Sequence, residues 1–261
     1  MSDFLRADNI QVIYQTPAQQ TEAVRDVSFA VQKGQFVSIV GPSGCGKSTI
    51  LSCMAGLNRP QSGQILLEGR PIENSLDKIG YMLQSDNLMP WRSVWRNVTL
   101  GLEIQKKCDK ANMDYAASLL KKYDLWQFRD AFPSQLSGGM RQRVALIRTL
   151  ALKPQVLLLD EAFSALDYQT RVRVSCDVYE ILRRENKTIV MVTHDIPEAV
   201  SMSDVVIILS KRPAVVQKQL AIQLGNGADN PIVRRTHPQF QQYFNSIWRE
   251  LMQDEKTAFP S

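Results

Sequence analysis

The stretch Gly41-Pro42-Ser43-Gly44-Cys45-Gly46-Lys47-Ser48-Thr49 satisfies the pattern G-x-x-x-x-G-K-[ST] at every fixed position. The apolar run Phe36 to Val40 precedes it and the helix-compatible segment Ile50 to Leu57 follows, so the loop joins a buried strand to a helix N-terminus. A phosphate cradle needs both neighbours. Glycines let the backbone turn back and aim successive N–H groups at phosphate oxygens, and the positive end of the helix dipole favours the anion they surround. Lys47 adds a charge that reaches the outer phosphates, and the Ser48 hydroxyl is placed to ligate a Mg²⁺ ion bridging them. A Gly-rich turn that binds nothing has no need of the lysine or the serine. Gly41, Pro42, Ser43, Gly44, Cys45, Gly46, Lys47, Ser48 and Thr49 are therefore the candidate triphosphate-binding residues.

Working outward, Val156 to Leu159 is continuously apolar, as expected of a central parallel strand covered on both faces, and it ends in Asp160-Glu161. Carboxylates at that edge of a parallel sheet face the ligand crevice beside the phosphate loop. Asp160 can hold Mg²⁺ through water and Glu161 can take a proton from an attacking water. A second β-branched strand, Thr188 to Val192, ends in Thr193-His194-Asp195 at the same edge, which makes His194 a candidate for positioning that water or a γ-phosphate. The strand Ile79 to Leu83 ends in Gln84. In Gln135-Leu136-Ser137-Gly138-Gly139-Met140-Arg141-Gln142, Ser137 and the paired glycines precede a helical pattern (Met140, Val144, Ile147, Ala151). Free N–H groups and a hydroxyl there cap an outward-facing helix end, a second anion site.

The 261 residues suffice for one large domain or one domain with an inserted lobe, and 44% apolar with 22% charged residues is ordinary for a globular protein. The net charge of +5 is carried by scattered lysines and arginines, a solvated mixed-charge surface rather than a nucleic-acid footprint. That sign suits polyphosphate or an anionic membrane face without demonstrating either. No apolar signal segment stands at the N-terminus and no uncharged apolar run approaches the roughly 18 residues of a membrane helix, so a cytosolic chain is expected. Cys45, Cys53, Cys108 and Cys176 have neither C-x-x-C pairing nor a histidine at ligand spacing and are read as free thiols. Cys45 is either an activated thiol open to reagents, which a ligand bound in the loop would protect, or a small side chain tolerated in the loop.

Leu5 to Tyr14 and Glu22 to Val31 read as strands of a small antiparallel sheet joined by the polar segment Gln15 to Thr21. Tyr14 is placed either to stack on a purine or to pack as an ordinary tyrosine. The segment from Asn87 to Gln105, with Trp91 and Trp95, is either core or a contact for a partner's helix, and partner contact is favoured. Helical stripes cover Ala111 to Leu125, Thr170 to Glu185 and Phe240 to Met252, the last expected to pack on the core. Val205 to Leu209 and Ala214 to Leu220 read as a strand pair around Arg212-Pro213.

In this order and combination the stretches resemble the ATPase subunit of ATP-binding-cassette transporters over nearly the whole chain. The resemblance implies that Gly41 to Thr49 are the nucleotide loop, Gln84 the glutamine loop, Leu136 to Gln142 the signature sequence, Leu157 to Glu161 the Walker B strand with its catalytic glutamate, Ser164 to Asp167 the D-loop, and His194 the switch histidine. Tyr14 matches the adenine-stacking aromatic, although the segment after it is longer and more polar than in many members. The implied fold is α/β, a P-loop NTPase with a mostly parallel central sheet, an N-terminal antiparallel β-subdomain and an inserted α-helical subdomain. It forms a single nucleotide-binding domain over residues 1–261, with the helical insertion at about 86–150 and a C-terminal extension at about 222–261. Ser48, Gln84 and Asp160 would ligate Mg²⁺. In a head-to-tail homodimer, or a pair with a paralogue, Gln135, Ser137, Gly138, Gly139 and Gln142 would close over the twin's ATP while Asp167 communicates across the interface. Met89-Pro90-Trp91, Asp160 to Asp167 and Lys211-Arg212-Pro213 look most like the branch serving nitrate, sulfonate or taurine, bicarbonate and pyrimidine-precursor importers. That branch implies integral membrane permease subunits, an extracytoplasmic solute-binding protein, a peripheral place on the cytoplasmic face of the inner membrane, and no nucleic acid. A soluble cassette ATPase acting on nucleic acid or ribosomes would carry tandem cassettes, a coiled-coil insertion or a zinc insertion, and none is visible. A kinase or switch GTPase sharing only the loop does not account for Leu136 to Gly139.

Overall fold

The computed structural model describes residues 3–15, 19–225 and 230–256; part of the polar segment 15–21 and parts of the expected extension, 226–229 and 257–261, lie outside the described residues. In chain order come Leu5–Gln15 (β1), Gln20–Val31 (β2), Phe36–Val40 (β3), Lys47–Met54 (α1), Ser62–Leu67 (β4), Arg70–Pro71 (β5) and Ile79–Met82 (β6). Four helices follow, Val94–Val98 (α2), Leu100–Ile104 (α3), Lys110–Lys122 (α4) and Gly138–Leu150 (α5). Val156–Asp160 (β7), Tyr168–Arg184 (α6), Thr188–Val192 (β8), Ile196–Met202 (α7), Val205–Leu209 (β9), Val216–Ala221 (β10), Pro231–Arg235 (α8) and Phe240–Lys256 (α9) complete the chain.

Two sheets result. A four-stranded antiparallel sheet has the order β2-β1-β4-β5, and a six-stranded sheet has the order β10-β9-β3-β8-β7-β6. Every pairing in the larger sheet is parallel except that of β10 with β9. All residues of β3, β7 and β8 are buried, as expected of largely apolar strands covered on both faces, with Ser38, Asp160 and Thr188 as their buried polar members. Alternation along the strand divides their side chains between two cores. Leu157 and Leu159 join Val144, Ile147 and Val178 on the helical face, whereas Val156 and Leu158 join Ile50, Leu51 and the antiparallel sheet on the other. A third cluster seats Ile247 of α9 against Val40, Val206 and Ile208, so the C-terminal amphipathic stripe packs on the core as expected. Among the described residues no helix is long and apolar enough to cross a membrane.

The segment 87–105 divides between core and surface, and two boundaries of the sequence reading move. Val94, Val98 and Leu102 are buried in the helical core and Trp95 packs edge-on against Trp126, whereas Trp91 and Ile104, each 73% exposed, remain on the surface. Hydrophobic alternation could not reveal this because Asn97, fully buried, shapes the loop by hydrogen bonding Met89, Arg92 and Ser93 backbone atoms. The strand after Pro213 begins at Val216, because Ala214 is engaged elsewhere. Its N–H donates to the Ala23 carbonyl and its carbonyl accepts from Arg25 N–H, both at 2.9 Å, which ties the antiparallel sheet to the central one. Finally, the first helix ends at Met54 rather than Leu57, where Gly56 takes a left-handed φ of +68° that terminates it.

Candidate active site

Because β3, β6, β7 and β8 run parallel, the residues after their C-termini arrive at one sheet edge: the loop, Gln84, Glu161 and His194. The loop reverses through Gly44 (φ +71°) and Gly46 (φ +123°). A Cβ at Gly46 would lie 2.9 Å from the Ala23 carbonyl oxygen, so glycine is required there on both conformation and space. Lys47 opens α1 with 5% exposure, and its ammonium donates to the Gly41 and Pro42 carbonyl oxygens, each at 2.9 Å. The loop thus wraps a desolvated cation. Cys45 is 1% exposed and packs into the core beneath, which corrects the reading of it as a thiol open to reagents: only its backbone belongs to the cradle. Tyr14 is 43% exposed at the rim with its hydroxyl 3.2 Å from Thr49 Oγ1, so it is a surface aromatic beside the loop rather than a core residue.

The Ser48 hydroxyl donates to Asp160 Oδ1 at 2.9 Å, and the Tyr81 hydroxyl donates to Asp160 Oδ2 at 3.0 Å. Burial, reinforced by the Asp160 charge, pushes the Tyr81 phenol up to about 12, which keeps it a donor at neutral pH. Tyr81 escaped the sequence reading because a tyrosine inside an apolar strand looks like packing.

One residue on, Glu161 has φ +45°, a left-handed conformation that costs a non-glycine residue about 1–3 kcal/mol and turns its side chain away from the path of the strand. Its N–H is held by the Val192 carbonyl at 2.9 Å. Its Oε2 lies 3.3 Å from His194 Nδ1 and 3.4 Å from Gln84 Nε2, which also donates to Ser164 Oγ at 3.2 Å. Ser164 in turn donates to the Glu161 carbonyl at 2.9 Å. A carboxylate, an imidazole and an amide thus converge beside a serine–aspartate pair and a buried lysine. Such a set can bind a polyanion and accept a proton from water.

Ser137 caps α5, its hydroxyl accepting from Met140 N–H at 3.2 Å, and Gln135 Oε1 accepts from Phe132 N–H at 2.8 Å. Gly138 and Gly139 permit close approach: a Cβ would stand 3.1 Å from Leu166 and 2.7 Å from Val174 respectively. Gln142 departs from expectation. It is 3% exposed, because five positions past the cap the helix has carried it round to the buried face, and the fold does not bring its side chain out with Ser137. Asp167 caps α6 by accepting from Thr170 N–H, and hydrogen bonding to Thr170 holds its carboxyl below the usual range. The sequence reading also missed a strap between Gln84's segment and α5. Arg141 Nε donates to Asp86 Oδ2 at 3.0 Å, and Arg148 donates to the Asp86 and Asn87 carbonyls at 2.7 Å each. Two arginines seven positions apart on one helix face were the available signal.

Behind His194, Glu198 is buried and its carboxyl stands raised from 4.5 to about 7, through burial first; the Thr193 hydroxyl, Arg171 and Arg235 oppose the rise and Asp195 adds to it. A carboxyl whose folded value exceeds its unfolded one contributes stability below the unfolded value and loses it as pH rises through the folded value. Thermal melts at about pH 5 and about pH 8 are therefore expected to show a loss of stability at the higher pH that Glu198→Gln reduces. An unchanged pH difference in the variant would exclude this residue as its source.

Residues 24–164 match the family described as ABC transporter. The chain belongs to the ABC transporter family. It is 45% identical to an uncharacterised ABC transporter ATP-binding protein of Bacillus subtilis, a match covering 97% of each chain. It is 39% identical to a nitrate import ATP-binding protein of Synechocystis over 86% of each. Among solved structures, the dimeric post-hydrolysis state of an ATP-binding cassette bound to ADP and Pi is 29% identical with a TM-score of 0.71, covering 84% of this chain and 99% of that one. This ABC transporter subunit is accordingly an ATP-binding ATPase with a mostly parallel α/β core and a helical subdomain.

Proposed function

We propose that two copies of this ABC transporter subunit, arranged head to tail, hydrolyse ATP to drive solute import through separate membrane permease subunits, at the cytoplasmic face of the cell membrane. The observation that carries the reading is the convergence of Gln84, Glu161 and His194 beside the Ser48–Asp160 pair. In this reading Gly41 to Thr49 cradle the triphosphate, Lys47 turns from the loop carbonyls to the phosphates, and Tyr14 stacks on adenine. Hydroxyl, carboxylate and amide oxygens are the hard donors that suit Mg²⁺, so Ser48, Asp160 and Gln84 would hold it, and when bound it withdraws charge from the outer phosphates. Glu161 takes a proton from the water whose oxygen bonds to the γ-phosphorus. The bond from that phosphorus to the bridging oxygen breaks, and ADP leaves with the electron pair. His194, engaged through Nδ1 with Glu161, has Nε2 left to hold the γ-phosphate or the water.

Ser137, Gly138 and Gly139, with Gln135, close over the twin's nucleotide, and Asp167 communicates across the interface; buried Gln142 supports the helix from behind. Loss of the γ-phosphate link opens the dimer, and the segment from Gln84 to Trp95, strapped to α5, passes that motion to the permease. The helices at about 86–150 act as the inserted subdomain and 222–261 as an extension of the single domain. Similarity to a nitrate importer subunit and the Met89-Pro90-Trp91 stretch support a cargo among nitrate, sulfonate or taurine, bicarbonate or pyrimidine precursors, delivered by an extracytoplasmic binding protein. Affinity purification from membranes tests the assembly: a co-purifying polytopic protein supports it, and ribosomes or DNA in its place would overturn it. Ser137→Ala is expected to lower turnover at least about tenfold, whereas the roughly 1 kcal/mol of stability that a lost cap costs leaves the chain folded and lowers the melting temperature without lowering turnover. Wild-type turnover in that variant would remove the signature from the mechanism.

A further inference from the structure

Arg171 stands one turn into α6, four positions after the cap Asp167. Its Nη2 donates to the carbonyl oxygens of Ser164 at 3.2 Å and Leu166 at 2.9 Å, and its Nη1 lies 3.6 Å from Asp195 Oδ2. Both ends of this span adjoin the hydrolysis site. Ser164 shares the Gln84 amide with Glu161, while Asp195 directly follows His194 and caps α7 by accepting from Glu198 N–H at 2.8 Å. His194 itself is largely exposed and meets Glu161 through one 3.3 Å contact, so its place depends on how its backbone is anchored. One planar guanidinium, with donors in a fixed fork, therefore joins the 164–167 turn to the segment that carries the histidine.

We propose that Arg171 is a positioning residue that couples the 164–167 turn to His194, so that displacement of the turn moves the imidazole relative to Glu161. This rests on the roles given above to Glu161 and His194. The turn abuts the signature, since a Cβ on Gly138 would stand 3.1 Å from Leu166, and Arg171 carries any shift there across to Asp195.

The test uses the full chain, with turnover, KM for ATP and melting temperature measured for Arg171→Ala, Arg171→Lys, Asp195→Asn and His194→Ala. Asparagine still caps a helix but lacks the charge, so Asp195→Asn removes the ion pair alone. Arg171→Ala is expected to lower kcat about tenfold with KM changed less than about threefold, and Arg171→Lys, which keeps a charge but not the fork, to give an intermediate kcat. The Arg171→Ala/Asp195→Asn double variant is expected within about twofold of Arg171→Ala alone, since both cut one link. Wild-type kcat in the arginine variants, or effects that simply multiply, would overturn the inference. Should Arg171→Ala not fold, wild-type turnover in both Arg171→Lys and Asp195→Asn does the same. His194→Ala separates the two levels: if it is inert, the reading of His194 falls and the coupling with it; if it abolishes turnover while Arg171 variants do not, the coupling alone falls.

Discussion

Glu161→Gln is expected to bind ATP as the parent does while turnover falls by about two to four orders of magnitude, the range that a positioned general base contributes. The substitution changes little else. An amide of the same length can still accept from Gln84, and the backbone at this position is held by the Val192 carbonyl regardless of side chain. What is lost is the capacity to take a proton from the attacking water. Because hydrolysis is what opens the proposed dimer, the variant with MgATP is expected to elute as a stable dimer in size-exclusion chromatography, where the parent does not accumulate one. Near-normal phosphate release would exclude Glu161 as the base. A variant that stays monomeric while saturated with nucleotide would remove the twin from the mechanism even if catalysis were lost.

Lys47→Ala removes the buried ammonium at the centre of the loop and is expected to weaken ATP binding by about two orders of magnitude or more, since hydrogen bonds to a charged group are each worth about 1.5–3 kcal/mol. Two effects must be separated. In the protein as folded the ammonium also satisfies the Gly41 and Pro42 carbonyls, so its loss leaves two acceptors unpaired and costs stability of its own. Nucleotide titration followed by calorimetry, alongside a thermal melt without nucleotide, distinguishes them. Unchanged affinity would mean that the loop does not grip a triphosphate, whatever happened to the melting temperature.

The loop, the buried strands and the carboxylate pair were legible in the chain because their signals are local. Glycine spacing dictates where a backbone can reverse, and an unbroken apolar run dictates a strand covered on both sides. The Ser137 cap was legible for the same reason, since its hydroxyl bonds to an N–H group three positions on. The burial of Gln142 was not legible in this way: it lies about 200° round α5 from Met140, opposite the stripe of Met140, Val144, Ile147 and Ala151, and it is buried because α2, α4, α6 and β6 cover the helix on several sides.

Convergence was settled in three dimensions. Gln84 and Glu161 meet across 77 positions and His194 and Glu161 across 33, and these meetings follow from parallel register, which no local pattern encodes. The burial of Cys45, the inward packing of Trp95 and the reach of Arg171 to Asp195 belong to the same class, because each depends on what a distant segment places opposite. Short-range chemistry wrote the parts into the amino-acid order; long-range packing, which alone brings remote side chains within hydrogen-bond distance, assembled them into a site.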